Sequence, residues 1–321
     1  MTEAVSSARN ESRLGSGALG AGLVCACLLA FAARYHFARA AEERGVFSAV
    51  RGVEHRLRSE HPRWAEEVAS RQRQDACVGA ELAARRGLDA DLGALVLDLL
   101  ERSKGACPKL GSADGMRAEA LARSGQRDDA KVAAQSALRL NARDPFALYA
   151  NALLGWRAAE ASALDDAQRS VDAGRGRSAQ ILKGLIAYGK NRLEVAETAF
   201  QSALREDAND VEAIYDLALV RQQQNRYLEA REGYLKVLSV RPKHADARFN
   251  LGVLAHSIGA KEEAEHHLVK LREVAPNSPL VAKLAALLAQ PAESQHASAS
   301  STHYSLKLGA TPPPTAARGT H

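Results

Sequence analysis

Nothing in this chain reads as a β-strand. Runs of β-branched residues bounded by turn residues are missing throughout, which removes sandwiches, barrels and parallel-sheet folds at once. The signatures of common catalytic machinery are missing too. There is no G-x-S-x-G, no H-E-x-x-H and no complete G-x-x-x-x-G-K-[ST], so the exposed serine, the zinc-bound pair and the phosphate cradle all lack their residues. One near miss, Gly184 to Gly189-Lys190, puts Asn191 where Ser or Thr would hold magnesium, and it falls inside a helical pattern with no strand before it. Gly174-Arg175-Gly176 also follows no strand and reads as a flexible turn. Cysteine is scarce, 4 in 321 residues, with no C-x-x-C and no histidine at ligand spacing from Cys77 or Cys107. Neither a metal nor a cofactor is expected. The net charge is +5, yet no basic run is joined to an aromatic platform, so nucleic acid is not an expected partner. Basic residues are instead interleaved with Asp and Glu, the pattern of a solvated helix surface with local pairs worth roughly 0.3–0.5 kcal/mol each. With no constellation to do chemistry, the chain is not expected to be an enzyme.

What is present is a helix-forming composition rich in Ala, Leu, Arg and Glu, and a repeat. Val211–His244 and Ala245–Ser278 align without a gap over 34 residues: Leu217 falls on Leu251, Ala230 on Ala264, Tyr234 on Leu268, Val237 on Leu271 and Pro242 on Pro276. Stepping back in the same frame, Arg177–Asp210 keeps Gly184, Ala196, Phe200 and Ala203-Leu204. Pro145–Gly176 is two residues short, with a clear first helix from Phe146 to Trp156 and a second shifted to Ala163–Val171; Gly111–Asp144 keeps Gly125, Ala130, Ala134, Ala137 and Leu138. Small residues let paired helices approach closely, a bulky residue fills the space to the next unit, and the late proline closes the second helix.

This pattern resembles the tetratricopeptide repeat. The resemblance implies an all-α, right-handed superhelical solenoid in which each unit buries its apolar face only against its neighbours. The array spans 111–278 (111–144, 145–176, 177–210, 211–244 and 245–278), followed by a capping helix at 279–290 carrying Leu280, Val281, Leu284, Leu287 and Leu288. Residues 291–321 are mostly Ser, Thr, Ala, Pro and Gly and are expected to be a disordered tail. His266-His267 is expected to be a solvated pair on an outer helix.

Upstream, 34–110 is a helical spacer or one more degenerate repeat, with helices expected over Phe37–Glu60, Arg63–Arg86 and Leu88–Lys104 and a stop at His61-Pro62. The helical hairpin brings Cys77 and Cys107 together, either as a disulfide worth roughly 3–4 kcal/mol or as two buried thiols. After an N-terminal tail, 1–13, the segment 14–33 holds 20 residues without a charge, enough to span a hydrocarbon core of about 30 Å. It exceeds the usual h-region and reads as an uncleaved transmembrane signal anchor. Cleavage after Ala38-Arg39-Ala40, or a lipoprotein box at Val24-Cys25-Ala26-Cys27, are the alternatives. The flanking arginines nearly balance. The short tail and the bacterial look of the segment point to a single-pass inner-membrane protein with periplasmic repeats.

The family resemblance also implies a concave groove lined by the first helix of each unit. Carried over by frame, its residues are Phe146, Tyr149, Leu153 and Trp156; Ile181, Leu185 and Tyr188; Tyr215, Leu219 and Gln222; and Phe249, Val253 and His256, with Arg157, Glu212, Gln223 and Asp246 around them. An apolar, aromatic lining suits an apolar helix or an extended peptide. The basic clamp for an acidic carboxylate tail is absent, because Ile181, Leu185, Asp216 and Asp246 occupy its positions. The expected role is a membrane-anchored scaffold of the cell envelope that holds a protein or peptide partner in assembly, export or maturation. The alternative is a self-associating module forming a homo-oligomer.

Overall fold

The computed structural model describes residues 38–289, and every regular element among them is a helix. The tail 1–13, the apolar segment 14–33 and residues 291–321 lie outside the described residues, as do Cys25 and Cys27. Among the described residues, no helix is long and apolar enough to cross a membrane. The chain divides into two compact units between Ala113 and Asp114.

The first unit contains α1 (38–60), α2 (Pro62–Gln74), α3 (Ala76–Asp89) and α4 (Gly93–Ala106). One helix was expected over Arg63–Arg86, and there are two. Asp75 breaks the run: its backbone is extended, and its carboxylate accepts the amide N–H groups of Cys77 and Val78, capping α3. A short acidic side chain satisfies free N–H groups at a helix start better than it serves a helix interior. Val46, Val50, Val53 and Leu57 of α1 are buried, as are Leu88, Val96 and Leu99 of the α3–α4 hairpin. The sulfurs of Cys77, in the first turn of α3, and Cys107, at the end of α4, meet with their Cα atoms 5.5 Å apart.

The second unit is a series of helical hairpins: α5 (Ala113–Arg123) with α6 (Arg127–Leu140), α7 (Pro145–Arg157) with α8 (Ala163–Asp172), α9 (Arg177–Gly189) with α10 (Leu193–Glu206), α11 (Val211–Gln223) with α12 (Tyr227–Val240), and α13 (Ala245–Ser257) with α14 (Lys261–Val274). A final helix, α15 (Pro279–Leu288), packs on both α13 and α14. Each hairpin turns on one residue of positive φ: Gly125, Ala159, Asn191, Asn225 and Gly259. The following N–H bonds back to a carbonyl near the end of the first helix, as in Gln126 to Leu121 and Ala260 to Ala255, the helix-ending motif that a left-handed residue permits. Asn191 is therefore a turn residue, and the phosphate-loop spacing around it is incidental. Asp91 in the first unit has φ 58, with Leu92 N–H on the Gly87 carbonyl, so α3–α4 uses the same turn in the same 34-residue frame.

Packing follows the repeat pattern. Ala230, Tyr234 and Val237 are fully buried at the α11–α12 crossing; burying one large side chain contributes roughly 2 kcal/mol. A side chain on Gly184 would stand 2.6 Å from the Phe200 ring, which explains a glycine at that crossing. Gly252 makes the same kind of room for Leu284 of the capping helix. One expectation fails here. His266 is exposed, but His267 is buried, because its slot on α14 faces the helix pair alongside Leu268 and Leu271.

Candidate functional site

First helices of neighbouring hairpins approach one another directly, α7 with α9 and α9 with α11, so their side chains form a continuous face. The α7 end of that face is closed. Phe146, Tyr149 and Leu153 are only 2%, 6% and 6% exposed and cannot serve as open contact residues. The cause is the turn that looked merely flexible. Gly174 and Gly176 both have positive φ, 88° and 69°, a conformation glycine adopts without strain. They direct Arg175 inward, where its guanidinium lies 4.9 Å from the Phe146 ring centroid and 5.6 Å from that of Tyr149. It then donates to Glu119 of α5 at 2.8 and 2.9 Å. Arg123 donates to the same carboxylate at 2.8 Å, and its guanidinium also lies over the Tyr149 ring, 4.9 Å from the centroid. Glu119 is fully buried, and two guanidinium partners are what a buried carboxylate requires. The repeat that is two residues short is thus plugged by its own arginine. Trp156 and Arg157, at the far end of α7, are half-buried, and Arg157 donates to the Ala122 carbonyl at 2.6 Å.

The open stretch lies on α9, α11 and α13. Ile181, Leu185, Tyr188, Tyr215, Leu219, Gln222, Phe249, Val253 and His256 are all half-buried, while Glu212, Gln223 and Asp246 are exposed. Tyr215 and Leu219 rest on the core of the fourth hairpin, and Phe249 and Val253 on the core shared with the cap. Each offers one edge outward from a fixed base. Hydrogen bonds hold the polar members: Asn250 donates to the Tyr215 hydroxyl at 3.0 Å, and the Tyr234 hydroxyl donates to the Gln222 amide oxygen at 2.7 Å. The Tyr215 ring stands 5.7 Å from Tyr234 and 5.0 Å from His244. Burial pushes the Tyr215 and Tyr234 hydroxyls far above the usual phenol range, so both remain neutral. Burial, with Asp216 adding to it, also raises Tyr188.

Asp216 follows Tyr215 on this face and is half-buried. Burial first, then the negative charges of Glu212 and Asp210, push its carboxyl up to about 8. Desolvation disfavours the charged form, and no cation offsets it. Arg175, Glu119 and Asn250 escaped the sequence reading. The two flanking glycines were the available signal for Arg175; Glu119 in a small-residue helix and Asn250 among apolar neighbours offered little more than their polarity.

The arrangement is a helical repeat array whose first helices present a face of aromatic and apolar edges. The tetratricopeptide repeat family model matches residues 215–279, so the fourth and fifth hairpins are similar to tetratricopeptide repeats. The chain is similar to the peroxisomal targeting signal receptors of Candida glabrata, 32% identical over 90 residues, and Saccharomyces cerevisiae, 33% identical over 92 residues. Those matches cover 28% and 29% of this chain, which spans only 15% of either receptor. Similar solved structures include YrrB, described as having an unusual peptide-binding site, at TM-score 0.50 and 20% identity, covering 58% of this chain and 97% of that one. The type IV pilus biogenesis factor PilW matches at TM-score 0.54 and 17% identity, covering 66% and 99%. At these identities the likeness is one of fold.

Proposed function

We propose that this protein is a membrane-anchored scaffold that holds a segment of a partner protein on the α9–α11–α13 face, in assembly, export or maturation at the bacterial cell envelope. One observation carries the groove: Tyr215, Leu219 and Phe249 each rest on buried core yet stay only half-buried, and Tyr188 of α9 is half-buried beside them. Rigid aromatic edges set in a face carry most of the energy in protein interfaces, often above about 2 kcal/mol each. The matched receptors are named for binding a targeting signal, which supports a short peptide segment as the ligand. The anchor rests on the uncharged run 14–33, and periplasmic repeats are in keeping with the meeting of Cys77 and Cys107. Site-specific photocrosslinking in intact cells tests the reading, with the probe at Tyr215 and a control at exposed His266. A discrete adduct with another protein at Tyr215 alone is expected. Self-adducts only, or equal labelling at both positions, would replace the reading with self-association.

A further inference from the structure

Asp216 is half-buried on α11 near Tyr188 of α9 and Tyr215, two residues of the open face, and among the described residues no hydrogen bond or ion pair reaches its carboxylate. Its acidic neighbours are already engaged: Glu212 pairs with Arg241, and Asp210 with Arg177 while also capping α11. The carboxylate of Glu119, also sunk into this unit, has two guanidinium groups. The charged and titratable groups acting on or around Asp216 come from every helix packed there. They are Tyr188 of α9, Glu212 and Tyr215 of α11 with Asp210 at its cap, and Tyr234 of α12. Asp246 of α13 acts on Tyr215 beside it. None is a cation.

We propose that the α9–α11–α13 face takes an extended peptide whose apolar side chains flank one lysine or arginine, with that basic group seated on Asp216. The inference rests on the groove reading above and adds the chemistry of its ligand. The apolar flanks match Leu185, Leu219 and Val253. The negative centre rejects an acidic segment, since like charges brought together in a desolvated site are strongly unfavourable. Tyr188 and Tyr215 lie near the carboxyl, and aromatic rings favour a cation placed beside them. An empty, desolvated carboxyl keeps its proton; an arriving ammonium or guanidinium makes the ionised form favourable. Binding therefore releases a proton and tightens as the pH rises from 7 toward 9.

The test is fluorescence anisotropy on the full chain with labelled 12-residue peptides of alternating Leu and Ser carrying a central Lys, Arg, Gln or Glu. The Lys and Arg peptides are expected to bind about tenfold more tightly than the Gln peptide, and the Glu peptide more weakly still. An Asp216→Asn variant, shown by circular dichroism to be folded, loses the preference and its pH dependence. Equal affinity for the Lys, Gln and Glu peptides overturns this inference and leaves the groove reading standing. No binding by any peptide overturns both. A dimer that no peptide disperses, or peptide binding gained only when residues 291–321 are removed, assigns the face to a second copy or to the chain's own tail and also overturns it.

Discussion

Glu119 and Asp216 are two carboxylates in one helical array with opposite fates. Glu119 is buried between Arg123 and Arg175, so removing it leaves Arg175 inside the protein without its acid. Glu119→Ala is expected to cost roughly 3–5 kcal/mol, read by urea unfolding of the full chain. A loss below about 1 kcal/mol would mean that the aromatic rings alone hold the arginine. Asp216 has no cation, and its carboxyl is held up at about 8, above the ordinary unfolded value of about 3.9. Between those two values the folded state binds more protons than the unfolded state, so this group makes stability fall as the pH rises from 4 to 8 and levels off above that. Asp216→Asn should flatten that slope, and its stability relative to the parent should improve as the pH rises. Parallel stability–pH curves for the two proteins would show that the carboxyl is not desolvated. His267 runs the other way: burial lowers it, so its contribution is lost as the pH falls below its ordinary value of about 6.5. The two slopes are separable by substitution.

At the scale of the element, the ends of α3 and α4 are the sensitive point. Cys77 and Cys107 are 30 residues apart in sequence, and a bridge closing such a loop contributes roughly 3–4 kcal/mol in the loop-entropy account. Reduction is expected to accelerate amide hydrogen exchange in α3 and α4 while leaving α9 to α13 unchanged. Identical exchange with and without reductant would assign the pair to two buried thiols. This region also shows what sequence conceals. The 34-residue frame located the hairpins of the second unit because Ala230, Tyr234 and Val237 recur as Ala264, Leu268 and Leu271, a spacing set by helix crossing. The break at Asp75 had no such echo, for the Arg and Gln residues before it and Ala76 after it are good helix formers and only the capping geometry decides against one long helix. The groove was half legible. Frame transfer put Tyr188, Tyr215 and Phe249 on the open face but also placed Phe146 and Tyr149 there. A cover supplied by Arg175 from the next turn depends on two left-handed glycines, whose conformation no periodicity encodes.

At the scale of the whole molecule, a repeat array must end somewhere, and its terminal apolar face has to be covered. Here α15 does so, with Leu284 seated against Gly252 and beside Leu268 and Leu271. Truncation after Ser278 is expected to expose that core, lower the midpoint of thermal unfolding and produce concentration-dependent association, measurable by calorimetry and sedimentation. A monomer of unchanged stability would mean that the cap is dispensable.

The contact between Glu119 and Arg175 joins residues 56 apart, reaching from the first hairpin of the array to the turn after the second. A stack in which each unit touches only its neighbours can fray from its end one unit at a time, because every lost hairpin costs only its own interface. Fastening α5 to the turn before α9, across the rings of α7, removes that freedom. The first two hairpins and the start of the third must open together or not at all, so the array behaves at this end as a single cooperative block, and the unit-by-unit elasticity of an ordinary solenoid is confined to the hairpins that form the open face.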